Sequence, residues 1–149
     1  MRRRAHHIGI TVSDIEAGID FFRLLLQLEP ELRIHRKDTP FLDEIVGYPD
    51  VEQKIAFFTV PDDFIVELIE YVNPAPSRVD METSVIGSSH LCIEVDDIET
   101  EFARLRDAGV PFRATRPVAT PDGDLAGQKW AYLRSPDGIT VELVQTTPS

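Results

Sequence analysis

The chain of 149 residues has one cysteine, Cys92, so no disulfide can form within it. That usage points to a reducing, cytoplasmic compartment. Basic charge is scarce as well: 15 Lys and Arg stand against 26 Asp and Glu, for a formal net charge of −11. Nucleic acid and anionic membranes reward basic surfaces, which excludes both as main partners. Long apolar runs are also missing, and no stretch approaches the length that spans a bilayer. Arg2, Arg3 and Arg4 look like the opening of a secretory signal. However, the apolar run behind them is short and broken by Asp14 and Glu16, so the triplet reads as a solvated terminus. What remains is a soluble globular composition, 42% hydrophobic and 28% charged, in a chain long enough for one domain with a proper core.

What the sequence does have is a phrase said twice. His7-Ile8-Gly9-Ile10-Thr11-Val12-Ser13-Asp14-Ile15 returns as His90-Leu91-Cys92-Ile93-Glu94-Val95-Asp96-Asp97-Ile98, with His, Ile, Val, Asp and Ile repeated at an offset of 83. Val66-Glu67-Leu68 returns as Val141-Glu142-Leu143 at an offset of 75. After each first phrase the apolar residues fall at helical spacing: Ile15, Ile19, Phe22, Leu25 and Leu26 in one copy, Ile98, Phe102, Leu105 and Ala108 in the other. Ser13 or Asp14 caps the first helix and Asp96 or Asp97 the second. The first fades near Leu28, before Glu29-Pro30, and Gly109 stops the second.

A short strand follows over 32–36, then an irregular stretch over 37–54 with a helical turn at 41–46. Strands at 55–60 and 64–72 come next, joined across 61–63 as a hairpin. The second half matches with strands at 111–115, 129–134 and 139–146, the last two joined by the turn Ser135-Pro136-Asp137-Gly138. Each half is therefore strand, helix, then three strands. Module 1 is expected over about 5–72, a linker over 73–88 and module 2 over about 89–146. Neither half can cover both faces of its own sheet, so one domain over 1–149 is expected.

Alternation along a strand gives each side chain a face. Glu67 shares its face with Ile65, Ile69 and Tyr71, and Glu142 with Thr140 and Val144. An ionised carboxylate among apolar neighbours needs a cation or hydrogen-bond donors. One His opening a strand is ordinary; His and Glu matched in two copies point to a shared metal site. Imidazole suits zinc, nickel, iron and cobalt, and carboxylates draw the preference toward harder divalent ions. Two His and two Glu still leave positions open for water or substrate.

Lesser candidates are Tyr71, Trp130 and Tyr132, as pocket lining or core. His35, Arg113 and Arg116 lie on or near the short outer strands, as contacts to a substrate carboxylate or phosphate or as exposed charges. The 37–54 stretch, with Phe41 and Tyr48, reads as a lid or a dimer contact. Cys92, on an apolar strand, reads as an inert core thiol.

The phrases HIGITVSDIEAGIDFF, FIVELIEY, HLCIEVDDIETEFARLRDAGVPF and YLRSPDGITVELVQ resemble the vicinal oxygen chelate superfamily from His7 to about Gln145. That superfamily includes glyoxalase I, methylmalonyl-CoA epimerase, extradiol dioxygenases, and the fosfomycin and bleomycin resistance proteins. The resemblance implies an α+β fold in which two tandem βαβββ modules form a curled mixed sheet around a central cleft. It implies one divalent metal ion (Zn, Ni, Co, Mn or Fe) held by His7, Glu67, His90 and Glu142. His6 is the rival to His7 and is read as solvent-facing or supporting.

The implied activity is that of a metal-dependent isomerase, epimerase or lyase. It stabilises an enolate of a small carbonyl substrate, with Glu142 or Glu67 as the base. The first alternative is an iron(II) extradiol-type dioxygenase, which a fourth ligand at Glu67 would crowd. The second is a metal-free drug-sequestering protein of the bleomycin-resistance type, against which the retention of all four ligands counts. Leu24-Leu25-Leu26-Gln27-Leu28-Glu29-Pro30 replaces the Leu-Gly-Met-like phrase of typical glyoxalase I sequences and argues against glutathione. A homodimer binding a small molecule is the expected assembly.

Overall fold

The computed structural model describes residues 3–147; Arg2 of the basic triplet lies outside them. The chain forms two compact units, one up to Arg78 and one from Val79 on. Unit 1 runs β1 (His7–Thr11), α1 (Ile15–Leu26), β2 (Leu32–Arg36), α2 (Pro40–Val46), β3 (Glu52–Val60) and β4 (Phe64–Asn73). Its sheet has the order β1-β4-β3-β2, with β1 parallel to β4 and the other pairs antiparallel.

Helix α1 forms where the spacing predicts it. Asp14 caps it, accepting from Ala17 N at 2.8 Å, and the buried stripe of Ile15, Ile19, Phe22 and Leu25 covers the sheet. Its contact surface is Ala56 and Phe58 of β3 and Val66 and Leu68 of β4, all buried. Gly18 allows the close approach, since a Cβ there would stand 3.2 Å from Val12 and 3.4 Å from Leu68. The first turn is tied to the sheet by Glu70, which accepts from Ile15 N at 2.7 Å and pairs with Lys54 Nζ at 2.8 Å.

Unit 2 runs β5 (His90–Glu94), α3 (Ile98–Asp107), β6 (Val118–Ala119), β7 (Lys129–Arg134) and β8 (Thr140–Gln145). Its order, β5-β8-β7-β6, repeats that of unit 1, again with one parallel pair, β5 and β8. Asp97 caps α3 through Glu99 N and Thr100 N, and the hydrogen bonds from Thr100 hold its carboxyl below the ordinary value. Ile98, Phe102 and Leu105 are buried, as are Ala131, Leu133, Val141 and Leu143 on β7 and β8, the strands that α3 packs against. Gln145 plays the part of Glu70, accepting from Ile98 N at 3.1 Å. The fold is α+β, two βαβββ modules in tandem. Among the described residues no helix is long and apolar enough to cross a membrane.

Several expectations need correction. β3 begins at Glu52, earlier than expected, because the Asp43 carboxylate accepts from Asp50 N and Val51 N and ties the loop end to α2. The 61–63 hairpin, by contrast, forms as expected, with Val60 opposite Phe64 and a single 3-10 turn between them in which Asp62 and Asp63 have positive φ. The strand expected at 111–115 is only a bridge, Phe112 with Leu133. Pro111 offers a carbonyl to Arg134 N but no N–H. The outer strand of unit 2 is instead Val118–Ala119. Helix α2 has no counterpart in unit 2, which explains the longer first half.

Candidate metal centre

In unit 1 the parallel pairing of β1 and β4 sets His7 opposite Ile65 and Gly9 opposite Glu67. His7 Nε2 stands 3.7 Å from Glu67 Oε2, with the imidazole half exposed and the carboxylate side chain 17% exposed. Gly9 leaves room there, since a Cβ would come within 3.4 Å of Glu67 Oε2. On the far side of β4 the residue opposite Glu67 is Phe57. His6 is exposed, and its Nδ1 lies 2.9 Å from Nδ1 of His7. One ring donates and the other accepts, which leaves His7 Nε2 toward Glu67.

Unit 2 repeats the pair. His90 Nε2 is 3.3 Å from Glu142 Oε2, and the Glu142 side chain is 11% exposed. Here the cross-strand neighbours of the carboxylate are Cys92 on β5 and Tyr132 on β7. Both residues stand directly across from Glu142, and the Tyr132 ring lies 5.5 Å from that of His90.

Cys92 is therefore not a core residue: it is exposed, on the face that carries His90. Desolvation, then the bond to Glu142, pushes its thiol up to about 12, so it stays protonated at neutral pH. Desolvation and the Glu142 charge also raise Tyr132.

The lesser candidates divide. Tyr71 shares the Glu67 face, opposite Gln53, and Trp130 shares the Tyr132 face, where its Nε1 donates to Thr120 Oγ1 at 2.9 Å. His35 does not join them. It lies opposite Lys54, on the α1 side of the sheet, with Nε2 2.7 Å from Glu52 Oε1. Arg113 is paired with Glu82, which also holds Arg134, and Arg116 is exposed.

Two residues on the ligand faces were not singled out as site candidates from the sequence, although Thr140 was already placed beside Glu142. Gln53 is 2% exposed and alternates with Ile55 and Phe57, a signal that its strand phase would have revealed. Thr140, opposite His90, is 1% exposed, and its Oγ1 makes no hydrogen bond.

These residues suit a divalent cation. Each carboxylate is largely buried and has an imidazole beside it rather than a Lys or Arg, so its charge is not neutralised by a fixed cation. Thr140 adds an orphaned buried hydroxyl next to a candidate ligand. An imidazole beside a carboxylate, as each unit presents, offers donors of the kind that zinc, nickel, cobalt, manganese or iron takes. The structure presents them as two pairs. Among the described residues no three His, Cys, Asp or Glu side chains gather into a ready-made site.

The fold has known parallels. A family model described as the Glyoxalase/Bleomycin resistance protein/Dioxygenase superfamily matches residues 4–143. The 2-epi-5-epi-valiolone epimerase of an Actinomyces species is 28% identical over 144 residues, covering 93% of this chain and 77% of that protein. A glyoxalase family protein from Bacillus cereus has a similar structure, with a TM-score of 0.80 and 21% identity over 99% of this chain and 97% of that one. A mutant of glyoxalase I from Zea mays gives a TM-score of 0.69 and 19% identity, covering 97% of this chain and 46% of that one. The structural likenesses show the fold.

Proposed function

Because the chain belongs to the glyoxalase/bleomycin resistance protein/dioxygenase superfamily, we propose that it is a metal-dependent isomerase of the epimerase kind. It moves a proton at a carbon beside the carbonyl of a small substrate. His7, Glu67, His90 and Glu142 are the ligands of one divalent ion. When bound, that ion supplies Lewis-acid polarisation of a carbonyl oxygen, which lowers the cost of removing the adjacent proton.

The single observation that carries the reading is the His7–Glu67 pair, because it adds a second carboxylate to the set. Ring cleavage with oxygen has no use for that group, whereas proton transfer needs a carboxylate that can take a proton and return it. The apolar neighbours of Glu67, Ile65 and Ile69, keep water from competing for the proton. The epimerase relative supports the same chemistry. Inverting a carbon next to a carbonyl is one proton removed and one returned.

The test is NMR in deuterium oxide with metal-loaded protein, using 2-epi-5-epi-valiolone and a panel of small ketones. The expected result is metal-dependent deuterium at the carbon beside the carbonyl, lost in Glu67→Gln. Iron-dependent oxygen uptake with catechols, unaffected by Glu67→Gln, would overturn the reading in favour of a dioxygenase.

A further inference from the structure

The sheet of unit 1 carries a second polar cluster on the face of Glu67. Register sets Arg36 of β2 opposite Gln53 of β3, and Gln53 opposite Tyr71 of β4, so the three form one row across the strands. Gln53 is 2% exposed, yet its side-chain amide makes no hydrogen bond among the described residues. A buried amide left in that state is costly. Arg36 is exposed and has no ion pair. Every other Arg or Lys in the described strands has a carboxylate partner: Arg33 has Glu16, Lys54 has Glu70, Lys129 has Glu99 and Arg134 has Glu82. A lone guanidinium stands out in a chain with 26 acidic residues against 15 Lys and Arg.

Unit 2 fills the same row differently. Gln128 is equivalent to Gln53 at the offset of 75, and the strand register continues to Thr120 on one side of it and Thr146 on the other. Both hydroxyls are engaged: Thr120 Oγ1 accepts from Trp130 Nε1 at 2.9 Å, and Thr146 donates to Glu94. The unit 1 row therefore holds donors that the fold itself does not use. It stands at a set distance from the His7–Glu67 pair. Tyr71 follows Glu67 by four residues, about 13 Å along an extended strand. The row between them is Ile34, Ile55 and Ile69.

We propose that Arg36 and Gln53 form a subsite for a carboxylate at the far end of the substrate from its carbonyl. This names the substrate class for the function proposed above, and rests on that reading for the carbonyl alone. Arg36 supplies charge and a planar donor fork, while the Gln53 amide and the Tyr71 hydroxyl reach the remaining lone pairs. One cation with two neutral donors matches a single negative charge, which favours a carboxylate over a doubly charged phosphate. The isoleucine row takes the carbon chain between the two ends. The substrate is then a keto acid and not a neutral ketone. His35 faces the α1 side of the sheet, so strand alternation gives this role to its neighbour.

The test uses the full metal-free chain with 7-oxooctanoate and with its methyl ester, read by amide NMR shifts, with thermal unfolding as the folding check. The acid is expected to shift amides around Arg36, Gln53 and Tyr71 and to bind at least about tenfold more tightly than the ester. Arg36→Gln is expected to remove that preference, and Gln53→Leu to weaken the acid about fivefold. Equal affinity for acid and ester, or a preference retained in Arg36→Gln, would overturn the subsite and leave the isomerase reading standing. An acid preference lost in Arg36→Gln, with no metal-dependent deuterium incorporation into keto acids, would uphold the subsite and overturn the isomerase reading.

Discussion

Strands β4 and β8 carry the same Val-Glu-Leu phrase at the same place in the same strand order, yet their carboxylates keep different company. What the units share is whatever places the backbone. Asp14 and Asp97 cap the helices, Glu70 and Gln145 hold the first turns to the sheet, and Leu68 and Leu143 lie under the helices at the same depth. What the units do not share lies beside the carboxylates, where Gly9 and Phe57 stand against Cys92 and Tyr132. The scaffold is symmetric and the chemistry on it is not.

The strongest way to break the comparison is through the shared core. Leu68 and Leu143 are fully buried equivalents, so Leu68→Ala and Leu143→Ala should each cost about 2–5 kcal/mol in urea unfolding. If one were costly and the other neutral, the claim of equivalent scaffolds would fail. A smaller effect sharpens it. Glu70→Ala removes a charged acceptor from Ile15 N and the partner of Lys54, for an expected loss of about 1.5–3 kcal/mol. Gln145→Ala removes a neutral acceptor from Ile98 N and should cost about 1 kcal/mol. Calorimetry that ranked them in reverse would show that the two anchors do different work.

Much of this was legible in the chain because the repeat acts as an internal alignment. The offsets matched His7 with His90 and Glu67 with Glu142, and the structure sets the His and the Glu of each unit on neighbouring strands. The helix caps and the Ser135–Gly138 turn were equally plain, since each depends on local chemistry. Cys92 was misplaced although the alternation was available: Leu91 and Ile93 form the inward set, which sends Cys92 out with His90 and Glu94. Apolar neighbours in sequence hid polar neighbours in space.

The strand expected at 111–115 shrinks to one bridge, since Pro111 at its start has no N–H to pair. The face of His35, read as a substrate contact or an exposed charge, depends on how β2 registers with β3. Register between strands distant in sequence is the part a single chain conceals. The pairing of Tyr132 with Glu142 and of Phe57 with Glu67 belongs to that part.

The central claim is that the two His–Glu pairs serve one metal ion. Titration of the metal-free chain with Co2+, followed to saturation, tests it most directly. One ion per chain is predicted, with tight binding lost in His7→Ala and lost equally in His90→Ala. Two ions per chain, or full tight binding retained by either variant, would contradict it.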